Sequence, residues 1–129
     1  MASRLLDFLR VIGKGRVLTA AHFQPQGVTQ LVAANYGGRG IQSVTRTGVG
    51  AFTVTLQDGW PFISYASASL CSATLQPISV QIGTVNLTAK TITLFCYNTT
   101  TGAASDVVAD PNTFIRLALI FRNTTIPNA

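Results

Sequence analysis

Few side chains in this 129-residue sequence have the chemistry for catalysis or metal binding. The chain has one histidine, two cysteines and four aspartates, and it has no glutamate. Asp58 precedes a glycine and Asp110 precedes a proline, which is typical of turns. Asp106 lies in the same predicted loop as Asp110, which leaves a weak cation site there as an alternative. The cysteines have neither a C-x-x-C spacing nor a nearby histidine, so the sequence predicts no metal site and no cofactor.

The histidine lies in a short motif with a known counterpart. Val17-Leu18-Thr19-Ala20-Ala21-His22 resembles the segment of trypsin-like serine proteases whose histidine is the general base. Phe23 stands where that family has a cysteine, and the chain contains no Asp-Ser-Gly for a nucleophile. A triad requires all three groups, so we interpret His22 as a residue of an arm and predict that the protein is not an enzyme.

Charge and hydropathy point to an assembly subunit. Only 10% of the residues are charged, the mean hydropathy is +0.37 and the net charge is +5. Apolar surface of this extent favours an oligomer or a larger assembly. The nine basic residues are spread along the chain without interleaved aromatics, which disfavours nucleic acid as the ligand and fits an acidic protein surface equally well.

The segment from Gly40 to Trp60 predicts a β-hairpin. Ile41–Thr47 and Ala51–Gln57 are rich in residues that favour strands, and two glycines between them allow a tight turn. In the second strand Phe52, Val54 and Leu56 alternate with polar residues, which places one face on a core.

Further strands are predicted at four places along the rest of the chain, and the first of them covers Trp60 to Leu70 and opens with Pro61. Ile78, Val80 and Ile82 alternate, as do Ile92, Leu94 and Cys96, and residues 113–123 alternate again. Apolar residues on both faces predict that the strand over 90–98 is central in its sheet. We predict six strands in 40–123 with one or two before them, around Arg16 to Ala20 and Thr29 to Ala33. The fold class is therefore all-β, an antiparallel β-sandwich or jelly-roll-like domain over 40–129, preceded by an extended N-terminal arm or connector over 1–39.

Residues 3–12 of this arm have apolar residues at helical spacing, with Asp7 and Arg10 elsewhere on the helical wheel. These two charges also interrupt the apolar run and argue against a secretory signal. No run reaches the ~20 residues that a membrane helix needs. Cys71 and Cys96 each lie in an apolar strand, and we predict two buried free thiols, with a disulfide bridge between the two strands as the alternative.

The hairpin sequence GIQSVTRTGVGAFTVTLQDGW resembles a stretch of small virion proteins of tailed phages. In those proteins a similar hairpin is followed by strands, a polar loop and a final apolar strand, which Phe114 to Arg122 resembles. Such proteins decorate and cement the capsid or form short head or tail fibres, and they are often trimeric. The resemblance covers residues 40–123 and leaves residues 1–39 unmatched.

This resemblance implies a capsid decoration protein that binds the major capsid protein across subunit boundaries on the virion surface, without catalysis. It also implies self-association, as a homotrimer. The basic and apolar residues of the arm and of the closing strand are the predicted partner-binding residues: Arg4, Leu5, Phe8, Leu9, Arg10, Ile12, Arg16, Phe114, Arg116, Ile120 and Arg122.

Three alternatives belong to other classes. A fibre or adaptor subunit would contact a receptor or another tail protein, with the loop over 99–112 as its exposed tip. A depolymerase would need clustered acids or a nucleophile–base pair, which four scattered aspartates and one histidine do not supply. A carbohydrate-binding module would use Trp60 as a platform, although a tryptophan beside Pro61 is more typical of a core.

Overall fold

A computed structural model describes residues 16–122, which form two antiparallel four-stranded sheets packed face to face. The predicted helix over 3–12 lies outside the described residues, and so does the C-terminal tail. In the part of the chain that is described, no helix is long and apolar enough to span a bilayer. The eight strands are β1 (Arg16–Phe23), β2 (Tyr36–Gly38), β3 (Ile41–Gly48), β4 (Ala51–Leu56), β5 (Phe62–Cys71), β6 (Ile78–Asn86), β7 (Thr91–Asn98) and β8 (Phe114–Arg122).

Sheet A has the strand order β2-β1-β8-β5, and sheet B has the order β3-β4-β7-β6. Every pair of neighbouring strands is antiparallel. The all-β sandwich predicted from the alternating pattern is therefore confirmed, and β7 lies between β4 and β6 as expected for a strand with two apolar faces.

The core lies between the sheets and consists of the inward residues of both. Phe23 of sheet A packs on Phe52 of sheet B, with ring centroids 4.9 Å apart. Trp60 is half-buried and stacks on Phe121 at 5.3 Å, so it closes one side of the core. The alternating residues predicted to face inward on β4, β6, β7 and β8 all belong to this core or pack against it.

The predicted hairpin is present as β3 and β4, joined at Val49-Gly50. Gly50 has a φ of +61°, and a Cβ at this position would lie 2.4 Å from the Cys96 carbonyl oxygen. Only glycine combines this backbone conformation with such a close approach. The hairpin turn is thereby held against β7, because Cys96 N–H donates to the Gly50 carbonyl oxygen at 2.6 Å.

The structure of residues 16–39 differs from the irregular or extended connector that the sequence predicted. β1 is an interior strand of sheet A, and Ala21 and Phe23 are core residues, so the sandwich extends back to Arg16. The short strand expected around Arg16 to Ala20 is present as β1, which continues to Phe23. Its interior position in the sheet was not predicted, because β1 pairs along its full length with β8, about a hundred residues later in the sequence. A strand expected near 29–33 is replaced by a turn at Gly27 and a 3₁₀ turn at Ala33–Asn35.

Candidate binding surface

The outward residues of the closing strand β8 lie on the outer face of sheet A. Ile115, Leu117, Leu119 and Phe121 are buried in the core, which leaves the alternate residues of β8 pointing away from sheet B. The antiparallel register sets the neighbours of these residues on β1 and β5. We define the outer face of sheet A by its residues Arg16, Leu18, Ala20, His22, Phe62, Tyr65, Ser67, Ser69, Cys71, Phe114, Arg116, Ala118, Ile120 and Arg122.

The centre of this face is apolar. Leu18, Ile120 and Tyr65 form one row across the three strands, since Ile120 is the register partner of both other residues. The next row has Ala20 and Ala118 with a serine, whose small side chains leave the surface shallow. Tyr65 is 52% exposed, so this strip is uncovered in the described part of the chain.

A bulge in β5 places both of its aromatic residues on this face. Phe62 pairs with Arg122 and Tyr65 pairs with Ile120, so three residue steps on β5 match two on β8. In a regular strand two residues three positions apart would point to opposite faces. The extra residue therefore brings the 41% exposed Phe62 and the exposed Tyr65 to the same side.

The arginines of the face are grouped at its two ends. Arg16 pairs in register with Arg122 at one end, and His22 pairs with Arg116 at the other. Two guanidinium groups lie near aromatic rings: the Arg122 Cζ is 5.2 Å from the Phe62 centroid, and that of Arg116 is 5.3 Å from the Phe114 centroid. Cation–π contacts of this kind restrict the arginine side chains to positions along the face.

None of the aspartates among residues 16–122 lies on the outer face of sheet A. Among the described residues the aspartates are Asp58, Asp106 and Asp110, and all three lie in loops outside β1, β5 and β8. The outer face of sheet A is therefore a surface with an apolar centre and two positively charged ends.

The outer face of sheet B is neutral by contrast. Thr45, Thr53 and Thr93 form one row across β3, β4 and β7. The Thr93 hydroxyl accepts a hydrogen bond from the Thr84 N–H at 2.7 Å, beside a bulge in β6. Threonine is a common choice for a solvated sheet face, and the 44% exposed Phe95 of β7 lies on the same side.

The loop over 99–112 is anchored to the sandwich. Val107 is fully buried and its carbonyl oxygen accepts from Gly27 N–H at 3.0 Å, while Ser105 N–H donates to the Cys96 carbonyl oxygen at 3.0 Å. Asp106 binds Arg46, and Asp110 Oδ1 accepts from Asn112 N–H at 2.8 Å. Both carboxylates considered for a cation are thus held by donors of the chain, and no cluster of three metal-binding side chains occurs within residues 16–122.

His22 lies on the exposed side of β1. Its ring is edge-on to Phe114 at 6.1 Å and lies against Gly37, where an added Cβ would be 3.3 Å from Cε1 and Nε2. Within residues 16–122 it makes no hydrogen bond to a serine or aspartate.

The two cysteines are free and lie apart in the fold. Cys71 is half-buried on the outer face of sheet A, and Cys96 is buried in the core from sheet B. The prediction of two free thiols is confirmed within one chain, and only one of them is fully buried. Burial, with a smaller contribution from Asp106, raises the pKa of the Cys96 thiol to about 12.

Five of the predicted binding residues come together on the outer face of sheet A: Arg16, Phe114, Arg116, Ile120 and Arg122. The other six lie outside the described residues: Arg4, Leu5, Phe8, Leu9, Arg10 and Ile12. The prediction missed Leu18, Phe62 and Tyr65. The sequence contains no signal for the register that brings β1 and β5 beside β8. In addition, the bulge in β5 interrupts the alternation of inward and outward residues along that strand.

Comparison with models of protein families, with curated proteins and with solved structures finds no match to this chain. A function therefore has to be derived from the surface chemistry of the sandwich and from the sequence.

Proposed function

We propose that this chain is a structural protein of a bacteriophage virion that decorates the outer surface of the capsid. The observation that carries the proposal is the outer face of sheet A, which is apolar at its centre, positively charged at both ends and uncovered in the described structure. Exposed apolar surface flanked by polar groups is typical of protein–protein interfaces. The resemblance of the hairpin to phage virion proteins supports the phage capsid as the assembly to which this face binds.

The mechanism is binding without chemistry. The outer face of sheet A contacts the major capsid protein, and the arm residues before Arg16 add a second contact across the boundary between capsid subunits. Many weak contacts repeated over a symmetric shell give high avidity, so no single strong site is needed to stabilise the shell. The predicted homotrimer would add to this avidity.

The test is electron microscopy of phage particles that carry this gene, with gold-labelled antibodies against the full-length protein. We expect label over the whole shell. Label confined to the tail or to one vertex would contradict decoration, and absence of label from every particle would remove the virion assignment. Shells prepared without the protein should break at a lower temperature than complete ones and recover when it is added back.

One observation favours a fibre or adaptor subunit as the second candidate. The segment before β2 meets the loop over 99–112 at one end of the sandwich, where Gly27 N–H donates to the Val107 carbonyl oxygen. Val28, Val32 and Val108 are 77%, 61% and 74% exposed there. An apolar tip of this kind suits contact with a receptor or a tail protein, and the distribution of the gold label separates the two functions.

A further inference from the structure

We infer that the free edge of β5 pairs with the same edge of a second copy of this chain, so that sheet A continues across a two-fold axis into sheet A of the other copy. The inference goes beyond the proposed function and does not depend on it. β5 is an outermost strand of sheet A, and within residues 16–122 its backbone pairs with β8 alone. An edge strand presents a row of unpaired N–H and C=O groups, which can bind another strand.

The regular part of β5 has none of the features that protect an edge strand. Residues 65–71 pair with β8 one by one, and they contain no bulge, no proline and no charged side chain. Short length, charges, prolines and bulges are the usual means by which proteins prevent pairing between sheet edges. A long, regular and uncharged edge of this kind is therefore open to another strand.

The other edge strands of the two sheets are protected. β2 has three residues, and two of them are glycines. In β3 the Gln30 side chain occupies the free edge, because its Nε2 donates to the Arg46 carbonyl oxygen at 2.8 Å and its Oε1 accepts from the Arg46 N–H at 2.6 Å. β6 has a bulge between Ile82 and Val85, which limits its regular edge to residues 78–82. The contrast identifies β5 as the edge at which a further strand can bind.

The core of the sandwich is incompletely covered on the side of β5. β5 and β6 are neighbouring edges of the two sheets. Their inward residues, such as Ala66, Ala68 and Val80, pack against the core and are only half-buried. On the opposite side the edge strand β3 has its inward residues Ile41 and Val44 buried. A second copy at the β5 edge would remove the half-buried apolar side chains from water, which favours association.

The edge is complementary to itself. No charged residue lies in β5, so two copies meet without like charges facing each other. Leu75, fully exposed in the connection after β5, and Phe62, 41% exposed, lie at opposite ends of the strand. Antiparallel pairing brings the Leu75 end of one copy beside the Phe62 end of the other. Contact between identical surfaces across a two-fold axis is also the commonest arrangement in oligomers.

The register follows from the regular part of the strand. Pairing centred on Ala68 aligns the whole of residues 65–71 with the same residues of the second copy, so that Tyr65 lies opposite Cys71. Inward residues then lie opposite inward residues, as a continuous sheet requires. The two-fold axis of an antiparallel pair is perpendicular to the sheet, so both copies present the outer face of sheet A on the same side. The pair would thus carry the proposed binding surface twice, which increases avidity.

Sedimentation of the purified full-length protein tests the inference. We expect particles with an even number of chains, either a dimer or a pair of the trimers expected from the sequence. Ala68→Lys should weaken this association at least about thirtyfold, because it places two ammonium groups opposite each other in a covered site. Thr45→Lys is the matched control, because Thr45 is exposed on the protected edge strand β3, and it should change the association by no more than about threefold. Circular dichroism checks that both variants fold.

Cross-linking tests the same contact with a smaller change to the edge. The Cα atoms of directly opposed residues in an antiparallel pair are about 4.5–5.5 Å apart, a distance that a disulfide spans. The double variant Cys71→Ser/Ala68→Cys should therefore form a covalent dimer rapidly under a mild oxidant. Cys71→Ser/Thr45→Cys is the control and should remain uncoupled, because β3 does not take part in the contact.

Several results would overturn the inference. A monomer or a single trimer at every concentration would do so, and so would equal cross-linking of the two cysteine variants. Association that is unchanged in Ala68→Lys would show that another surface joins the copies. A strand of a different protein, or the chain's own segment before Arg16, would leave the isolated protein without cross-links at Ala68→Cys. These measurements use the isolated protein, so a failure to bind shells would contradict the proposed function alone.

Discussion

Arg46 of the hairpin binds Asp106 of the loop before β8 through two parallel hydrogen bonds. Nε donates to Oδ1 at 3.1 Å and Nη2 donates to Oδ2 at 2.8 Å. Asp106 Oδ1 also accepts from the Gly50 N–H at 2.9 Å. Both side chains are 16% exposed, so the pair is largely shielded from solvent. It ties two segments sixty residues apart and fixes the loop against the hairpin.

The Asp106 pair should make stability depend on acid pH. The Arg46 hydrogen bond lowers the pKa of Asp106 below its ordinary value of 3.8, against the opposing effect of burial, and the Gly50 N–H lowers it further. A carboxyl whose pKa is lowered by folding stabilises the protein above the unfolded value, and this contribution disappears as the pH falls through the folded pKa. Asp106→Asn should cost about 1–3 kcal/mol at neutral pH and less at an acidic pH well below 3.8.

Urea unfolding at both pH values measures the effect. Asp58→Asn is the control, because Asp58 is exposed in the turn after β4 and should change stability by no more than about 0.5 kcal/mol. An equal cost of Asp106→Asn at both pH values would show that the charge of Asp106 is not what stabilises the loop.

Gly50→Ala should be far more destabilising than Gly27→Ala. Both glycines have nearly the same backbone conformation, with φ of +61° and +62°. A Cβ at Gly50 would lie 2.4 Å from the Cys96 carbonyl oxygen, whereas a Cβ at Gly27 meets nothing within 4 Å. The Gly27 variant isolates the conformational cost of about 1–2 kcal/mol, and the Gly50 variant adds the steric clash. Equal midpoints in chemical unfolding of the two variants would contradict this packing.

Neighbouring residues of β8 should respond oppositely to truncation. Leu119 is fully buried, so Leu119→Ala should cost about 2–5 kcal/mol in unfolding free energy. Ile120 is half-buried on the outer face of sheet A, and Ile120→Ala should cost less than about 1.5 kcal/mol while weakening binding to shells. A similar loss of stability for both would mean that the face is already covered in the free protein.

The two cysteines should react with thiol reagents at very different rates. Cys96 is buried and its thiol pKa of about 12 keeps it protonated near neutral pH, and the thiol form is a poor nucleophile. Cys71 is only half-buried and should react first. At about pH 8, Ellman's reagent should titrate one thiol in the native protein and a second after unfolding. Cys71→Ser should remove the fast phase, and a fast phase that persists in this variant would place Cys96 nearer the surface.

Local pattern predicted most strands of the fold correctly. Phe52, Val54 and Leu56 alternate with threonines, and that period of two is a property of any strand with one buried face. The same reasoning placed Ile115 to Phe121 inward and therefore put Arg116 and Ile120 together on the other side of β8. These conclusions required only the spacing of residues within one segment.

Residues of the binding surface that come from other strands could not be predicted in this way. Leu18 and Tyr65 lie beside Ile120 because β1 and β5 pair with β8, and such pairing joins segments far apart in the sequence. The bulge between Ile63 and Tyr65 then decides which face Tyr65 occupies. The sequence by itself determined most of the strands, the shortage of acids and the buried face of the strands that alternate regularly. Only the tertiary structure decided which outward residues share a face, because strand register is set by long-range packing.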